Sequence, residues 1–341
     1  MIVDDSAVVR GMVSRWLEDE DVEIAAMAVD GVQALKKLAD TDIDVCILDI
    51  EMPNMSGLEA LPKLLAMRPG LRVIMASTLS ERGAEVTLRA LDMGAVDYIP
   101  KPSANRLGGA ETYRRDLLQK VLQLGARVVQ PVIPQPTIPP SPTRSLKAVQ
   151  AMVVASSTGG PPALRQFLAS LGAGWTAPIL IAQHMPAGFT RSLAQMLDRS
   201  SPLSAREAVA GEPIHPRTIY VAPGGSHMSV RTVGAGVPAI HLDQGPEINW
   251  CRPSADPLFA SAARLWGAST IGVVLTGMGH DGRDGAIALA GAGGIIVAQD
   301  EATSVVWGMP GAVAQAGVTD AVLPLAEIGP FVSRLAMGGA R

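Results

Sequence analysis

Met152-Val153-Val154-Ala155-Ser156-Ser157-Thr158-Gly159-Gly160-Pro161 is the stretch from which the rest of the chain can be read. Its apolar run suits a buried parallel strand, because a strand covered on both faces shows no polar alternation. The run stops at three small polar residues and two glycines, after which Leu164, Phe167 and Leu168 recur at helical spacing. A serine hydroxyl is therefore expected at a strand-to-helix turn. A rigid sheet would hold it there, while backbone N–H groups and the helix N-terminus face developing negative charge. Gly159 and Gly160 would let a substrate approach the backbone closely. The competing reading is that Ser156, Ser157 and Thr158 only cap the helix.

Bulk properties narrow the possibilities. At 341 residues the chain is long for one core, so two domains are expected. A formal net charge of −4 gives no electrostatic reason to expect nucleic acid or an anionic membrane surface. The two cysteines, Cys46 and Cys251, fall in different halves and have no metal-type spacing. Asp4 and Asp5 stand where a secretion signal would be basic, and no apolar run is long enough to span a bilayer. The expectation is a cytoplasmic monomer without membrane insertion.

Strand-like and helical patterns alternate from the start, which argues for an α/β fold with a doubly wound parallel sheet. Strands are expected at residues 1–3, 22–28, 45–48, 72–76 and 97–99, with helices around Val9–Leu17 and at 32–38, 58–65 and 111–124. In such sheets ligands gather at the carboxyl ends of strands, and Asp4, Asp5 and Asp49 all fall there. Clustered carboxylates can hold Mg²⁺, which would neutralise an incoming phosphoryl group while one aspartate attacks it. Ser77 and Lys101 end later strands and could bind the new phosphoryl oxygens. Taken singly, each of these residues could equally be a cap or a solvated charge.

Between Pro131 and Pro142 six of twelve residues are proline, a composition no packed element tolerates. An extended spacer of about 3.1 Å per residue is expected. Beyond it the alternation resumes, with strands expected at 149–155, 178–183 and 271–275 and helices at 163–171 and 191–197. Ser157, His184 and Asp281 follow three of these strands, so parallel strands would bring them to one edge. A serine nucleophile needs an imidazole to take its proton, and the imidazole needs a carboxylate to fix its tautomer. His227 and His280 compete with His184, whereas His215 and His241 read as structural or solvated. Asp281 or Asp284 could instead cap the helix that follows.

Val3-Asp4-Asp5-Ser6, Leu48-Asp49-Ile50-Glu51-Met52-Pro53, Gly57, Ser77 and Lys101-Pro102 resemble the motif set of response-regulator receiver domains. The resemblance implies a five-stranded, flavodoxin-like domain with Asp49 as phosphoryl acceptor. It also implies Mg²⁺ held by Asp4, Asp5, Asp49 and the Glu51 carbonyl, Ser77 as switch hydroxyl, Lys101 as phosphate-binding cation, and Tyr98 as the aromatic that changes rotamer. Such domains usually carry several more residues before the acidic pair, so a short first strand and a less stable receiver half are expected.

Ala155-Ser156-Ser157-Thr158-Gly159-Gly160, Gln183-His184-Met185-Pro186, Arg252-Pro253-Ser254-Ala255-Asp256, Leu275-Thr276-Gly277-Met278-Gly279 and Trp307-Gly308-Met309-Pro310 resemble the chemotaxis protein-glutamate methylesterase domain. That resemblance selects Ser157 as nucleophile, His184 as general base and acid, Asp281 as orienting carboxylate and the Met278 N–H as oxyanion donor. Trp250-Cys251 departs from the pattern, since relatives often carry a histidine there. The implied organisation is a receiver at 1–124, a linker at 125–147 and a mainly parallel α/β esterase at 148–341. The implied activity is methyl-ester hydrolysis at chemoreceptor glutamates, with glutamine deamidation by the same chemistry and no cofactor in the esterase. A histidine kinase would be the phosphodonor, and the unphosphorylated receiver would cover the esterase face. A phosphorylation-dependent binding module and a serine hydrolase for another ester are the alternatives.

Overall fold

The computed structural model describes residues 1–18, 20–101, 109–125, 149–172, 174–234 and 236–337. The chain forms two compact units, Met1–Pro131 and Val132–Arg341. The boundary falls in the proline-rich stretch, which lies outside the described residues.

In the first unit the elements run β1 (Ile2–Val3), α1 (Ala7–Glu18), β2 (Met27–Ala28), α2 (Gly31–Asp40), β3 (Val45–Asp49), α3 (Gly57–Met67), β4 (Arg72–Ser77), α4 (Glu81–Asp92), β5 (Asp97–Pro100) and α5 (Gly109–Gly125). The sheet is parallel, in the order β2-β1-β3-β4-β5. Every residue of β3 is buried, as expected for the central strand of a sheet covered on both faces. Helix starts follow from local chemistry. Asp30 accepts the Gln33 N–H ahead of α2, and Ser56 with Glu59 forms a reciprocal capping box ahead of α3. The strand expected over 22–28 is a strand only at Met27–Ala28. Its single sheet neighbour, β1, offers two residues to pair with, so the preceding segment has no ladder to join.

The second unit runs β6 (Ala151–Ser156), α6 (Gly160–Ala169), β7 (Ile179–Gln183), α7 (Phe189–Ser200), β8 (Ser204–Glu207), β9 (Thr218–Val221), β10 (His227–Val233), β11 (Val237–Asp243), α8 (Ala255–Trp266), β12 (Thr270–Val274), α9 (Arg283–Gly291), β13 (Ile295–Gln299), α10 (Met309–Gln315), β14 (Ala321–Leu323) and α11 (Leu325–Ala336). Seven strands form a parallel sheet in the order β14-β13-β12-β6-β7-β9-β8, and β10 and β11 form a separate antiparallel hairpin. The quoted stretch is thus the central strand. Val153 and Ala155 share a buried cluster with Leu180, Ala182, Phe259 and Val274. Strand order reverses on either side of β6, and a crevice at the carboxyl edge is where such sheets present their chemistry. Among the described residues, no helix is long and apolar enough to cross a membrane.

Candidate active site

Ser156 and Ser157 are neighbours with different fates. Ser156 is fully buried and its hydroxyl donates to Gln183 Oε1 at 2.6 Å, so it is spent on tying β6 to β7. Ser157 is half-buried, anchored through its backbone: its N–H donates to the Thr276 carbonyl at 3.0 Å, and its carbonyl accepts from Gln183 Nε2 at 3.0 Å. Neither serine caps the helix, because the N-cap of α6 is Gly159 and no side chain bonds there. The space over Gly160 is also not left for a substrate, as a Cβ there would run into the Gln183 amide. A Cβ on Gly277 would likewise sit 2.9 Å from Ser157 Cβ, so the loop after β12 lies directly against the serine. The Met278 N–H that follows donates no hydrogen bond among the described residues.

His184 leaves β7 beside Ser157, because β6 and β7 pair Ser156 with Gln183 and the His184 N–H donates to the Ser156 carbonyl. Its ring is 11% exposed, and Nε2 lies 2.7 Å from Asp281 Oδ2. An ionised carboxylate only accepts, so Nε2 carries the proton of that bond. The other nitrogen, Nδ1, lies 3.3 Å from Cys251 Sγ. No Ser157–His184 hydrogen bond occurs among the described residues. Burial pulls the imidazole pKa down, but the Cys251 sulfur and the Asp281 carboxylate outweigh it and push the ring up to about 10.

Asp281 is buried and saturated. Besides His184 it accepts from the Ser254 hydroxyl at 2.6 Å, the Ala255 N–H at 2.6 Å and Asn249 Nδ2 at 3.1 Å. Burial alone would push its carboxyl up. The His184 pair and the Ala255 and Ser254 donors reverse this and hold it well below the usual carboxylate range. It does not cap α9, whose N-cap is Gly282, and Asp284 lies in the first turn of that helix, where it accepts from Arg283 Nε at 2.9 Å. His227 does not compete for the serine. Its Nε2 meets the Pro246 carbonyl at 2.9 Å and its Nδ1 accepts the Ser254 N–H, so it orders the loop before α8. His280 and His215 are exposed. Sequence reasoning assigned no role to Ser254, Asn249 or Cys251. The signal available was a serine just before an amphipathic run, the usual start of a helix.

In the first unit, Asp4, Asp5 and Asp49 bring carboxylate oxygens within 4.8 Å of one another. Asp4 and Asp49 are buried, and Lys101 Nζ bridges them at 2.9 and 2.7 Å. Burial pushes the Asp49 carboxyl up, with Lys101 opposing. Burial also works against the Lys101 charge, yet its two carboxylate partners raise its pKa overall. Exposed Glu51 lines an open cavity of about 480 Å³ with Asp5 and Arg82. The Ser77 hydroxyl is buried and accepts from Thr87 Oγ1 at 2.6 Å. Tyr98 is buried, its ring centre 5.6 Å from Lys120 Nζ. Three hard oxygen donors in one cluster fit a divalent cation of the Mg²⁺ type.

Comparison with known proteins covers both units. Residues 152–332 match the family described as CheB methylesterase, and residues 1–108 match the response regulator receiver domain. A protein-glutamate methylesterase/protein-glutamine glutaminase 2 of Caulobacter vibrioides is 71% identical over 98% of this chain and 97% of its own length. A protein-glutamate methylesterase/protein-glutamine glutaminase of Maricaulis maris is 47% identical over 99% of this chain and 96% of its own. The crystal structure of the Thermotoga maritima CheB methylesterase catalytic domain superposes with a TM-score of 0.53 at 40% identity, covering 55% of this chain and all of that one. A serine, an imidazole and a saturated carboxylate at the edge of a parallel sheet, joined to a carboxylate cluster of the receiver type, place this chain in the CheB methylesterase family.

Proposed function

We propose that this chain is a phosphorylation-regulated serine hydrolase that cleaves glutamate γ-methyl esters in chemoreceptor proteins, with Ser157, His184 and Asp281 as its acyl-transfer centre. The observation that carries the reading is the buried His184–Asp281 pair at 2.7 Å, set beside the strand end that bears Ser157. Asp281 holds Nε2 protonated, so Nδ1 is the nitrogen that acts as base. Ser157 Oγ attacks the γ-carbonyl carbon and His184 Nδ1 takes its proton. The oxyanion forms at the open Met278 N–H. On collapse His184 returns the proton to the methoxy oxygen, methanol leaves, and a glutamyl ester remains on Ser157. Water, deprotonated by His184, releases the glutamate. The same steps with ammonia as leaving group deamidate glutamine.

Regulation rests on the receiver site. Asp49 accepts the phosphoryl group from a histidine kinase of the chemotaxis type, and Lys101 then binds a phosphoryl oxygen. Asp4, Asp5, Asp49 and the Glu51 carbonyl would hold Mg²⁺, which supplies charge neutralisation during transfer. Ser77 and Tyr98 are the groups whose rearrangement reports the modification. Methanol release from methylated receptor membranes tests both halves of the reading. Ser157→Ala abolishes release and Ser156→Ala does not, and a small phosphodonor raises the rate of the native chain but leaves Asp49→Ala unchanged. Activity retained by Ser157→Ala would sink the assignment.

A further inference from the structure

Cys251 sits at the end of a short loop whose backbone is under strain. Ile248 and Cys251 exchange two backbone hydrogen bonds, 3.1 and 2.9 Å, and close a two-residue turn. The residues between them, Asn249 and Trp250, both adopt positive φ, 52° and 62°. Asparagine tolerates this conformation, but a tryptophan held there costs of order 1–2 kcal/mol. The turn persists because Asn249 Nδ2 is anchored on Asp256 Oδ2 at 2.9 Å and on Asp281 Oδ1 at 3.1 Å. One turn thus grips the carboxylate on one side of His184 and sets a sulfur against the nitrogen on the other.

We propose that Cys251 is a positioning residue that occupies His184 Nδ1 and restrains its action as the base for Ser157. The proposal rests on the Ser157–His184–Asp281 reading above. With Nε2 committed to Asp281, Nδ1 has one lone pair to offer. A thiol hydrogen directed at it competes with the Ser157 hydroxyl, and a proton passed from sulfur to the ring leaves an imidazolium that accepts nothing. Among the described residues no other titratable group takes that place. Asp256 is turned to Asn249 and the Gly285 N–H, His227 to backbone, and the Arg252 guanidinium to the Gln244 and Gly245 carbonyls. His280 is exposed.

The test compares full-length native protein with Cys251→Ala and Cys251→Ser on a peptide carrying a glutamate γ-methyl ester, from about pH 5.5 to about pH 9.5. Removing the sulfur moves the rising limb of the kcat profile about one unit or more to lower pH and raises kcat at pH 7 roughly tenfold, with KM unchanged. Serine loses the acidic hydrogen but keeps a hydroxyl that still donates to Nδ1, so it moves the limb in the same direction by less than alanine does, and it carries the test if alanine fails to fold. A second readout needs no turnover. Iodoacetamide labels Cys251 at pH 7 at least about tenfold faster in native protein than in His184→Asn. Cys46 stays silent in that assay, since burial pushes its thiol up to about 11. Profiles that superimpose, a fall in neutral-pH turnover without the sulfur, or equal labelling rates overturn the proposal. Turnover in Ser157→Ala would instead remove the triad and leave the labelling result to decide the sulfur–imidazole contact alone.

Discussion

Asp49 ends the central strand of the receiver sheet and Asp281 lies in the loop after β12 of the esterase sheet; both are buried, and both face a nitrogen that can carry positive charge. Their surroundings differ in the number of donors. Asp49 accepts from Lys101 and from the Ile50 N–H. Asp281 accepts from His184, Ser254, Ala255 and Asn249. Burial accordingly pushes the first carboxyl up, while the donors hold the second down. A carboxylate with lone pairs to spare can attack an electrophile, whereas one whose lone pairs are all committed can only orient and stabilise its partner. On the roles proposed above, the two sites use the same residue type for opposite tasks, and the donor count separates them.

The largest effects come from removing each acid in turn. Asp49→Asn abolishes acid-labile phosphate incorporation, read by intact mass with a small phosphodonor, because an amide offers no anionic oxygen to attack phosphorus. Asp281→Asn keeps the fold but loses roughly four orders of magnitude in kcat, with KM little changed, because the imidazole loses its tautomer and its counter-charge. A loss smaller than tenfold would show that donor saturation has no catalytic meaning. Trimming the saturation gives a smaller effect. Ser254→Ala removes one of the donors and is expected to cost about tenfold in kcat, within the range of one hydrogen bond to a charged group. In the receiver the Lys101 bridge matters for stability. Lys101→Met leaves Asp4 and Asp49 facing each other unpaired and lowers unfolding free energy in chelator by about 3 kcal/mol, part of which millimolar Mg²⁺ restores.

What the sequence disclosed depended on whether a feature was local. Apolar runs just ahead of Asp49, Ser157 and His184 marked β3, β6 and β7, because a strand buried on both faces leaves its signature in consecutive residues. The pairing of His184 with Asp281 spans 97 residues, and spacing alone left Asp281 open to a capping role. Topology decides it, since β12 lies beside β6 and delivers the loop that carries Asp281. The support around Asp281 was illegible for the same reason. Ser254 and Ala255 reach it from the start of α8, where a serine before a helix reads first as a cap, and Ser254 does accept the Asp256 N–H as well. The glycines after Ser157 were misread because a sequence does not say whether the room beside a glycine belongs to a ligand or to a neighbouring side chain. At Gly160 it belongs to Gln183.

Asp256 tests the comparison most finely, being an acid near Asp281 that has neither the receiver's lysine nor Asp281's full set of donors. It accepts from the Gly285 N–H and Asn249, and burial, reinforced by the charges of Asp281 and Asp284, pushes its carboxyl up to about 6. An unfolded aspartate titrates near about 3.9. The folded state therefore holds this proton more tightly, and its contribution to stability is fully present below about pH 4 and is lost as pH rises through 6. Asp256→Asn keeps an oxygen for the Gly285 N–H and removes the charge. It should melt about 2–4 °C above the native chain at pH 7.5, with the difference vanishing near pH 4. A difference independent of pH would mean that Asp256 acts through packing and not through its charge, and donor count would then fail to order the three aspartates.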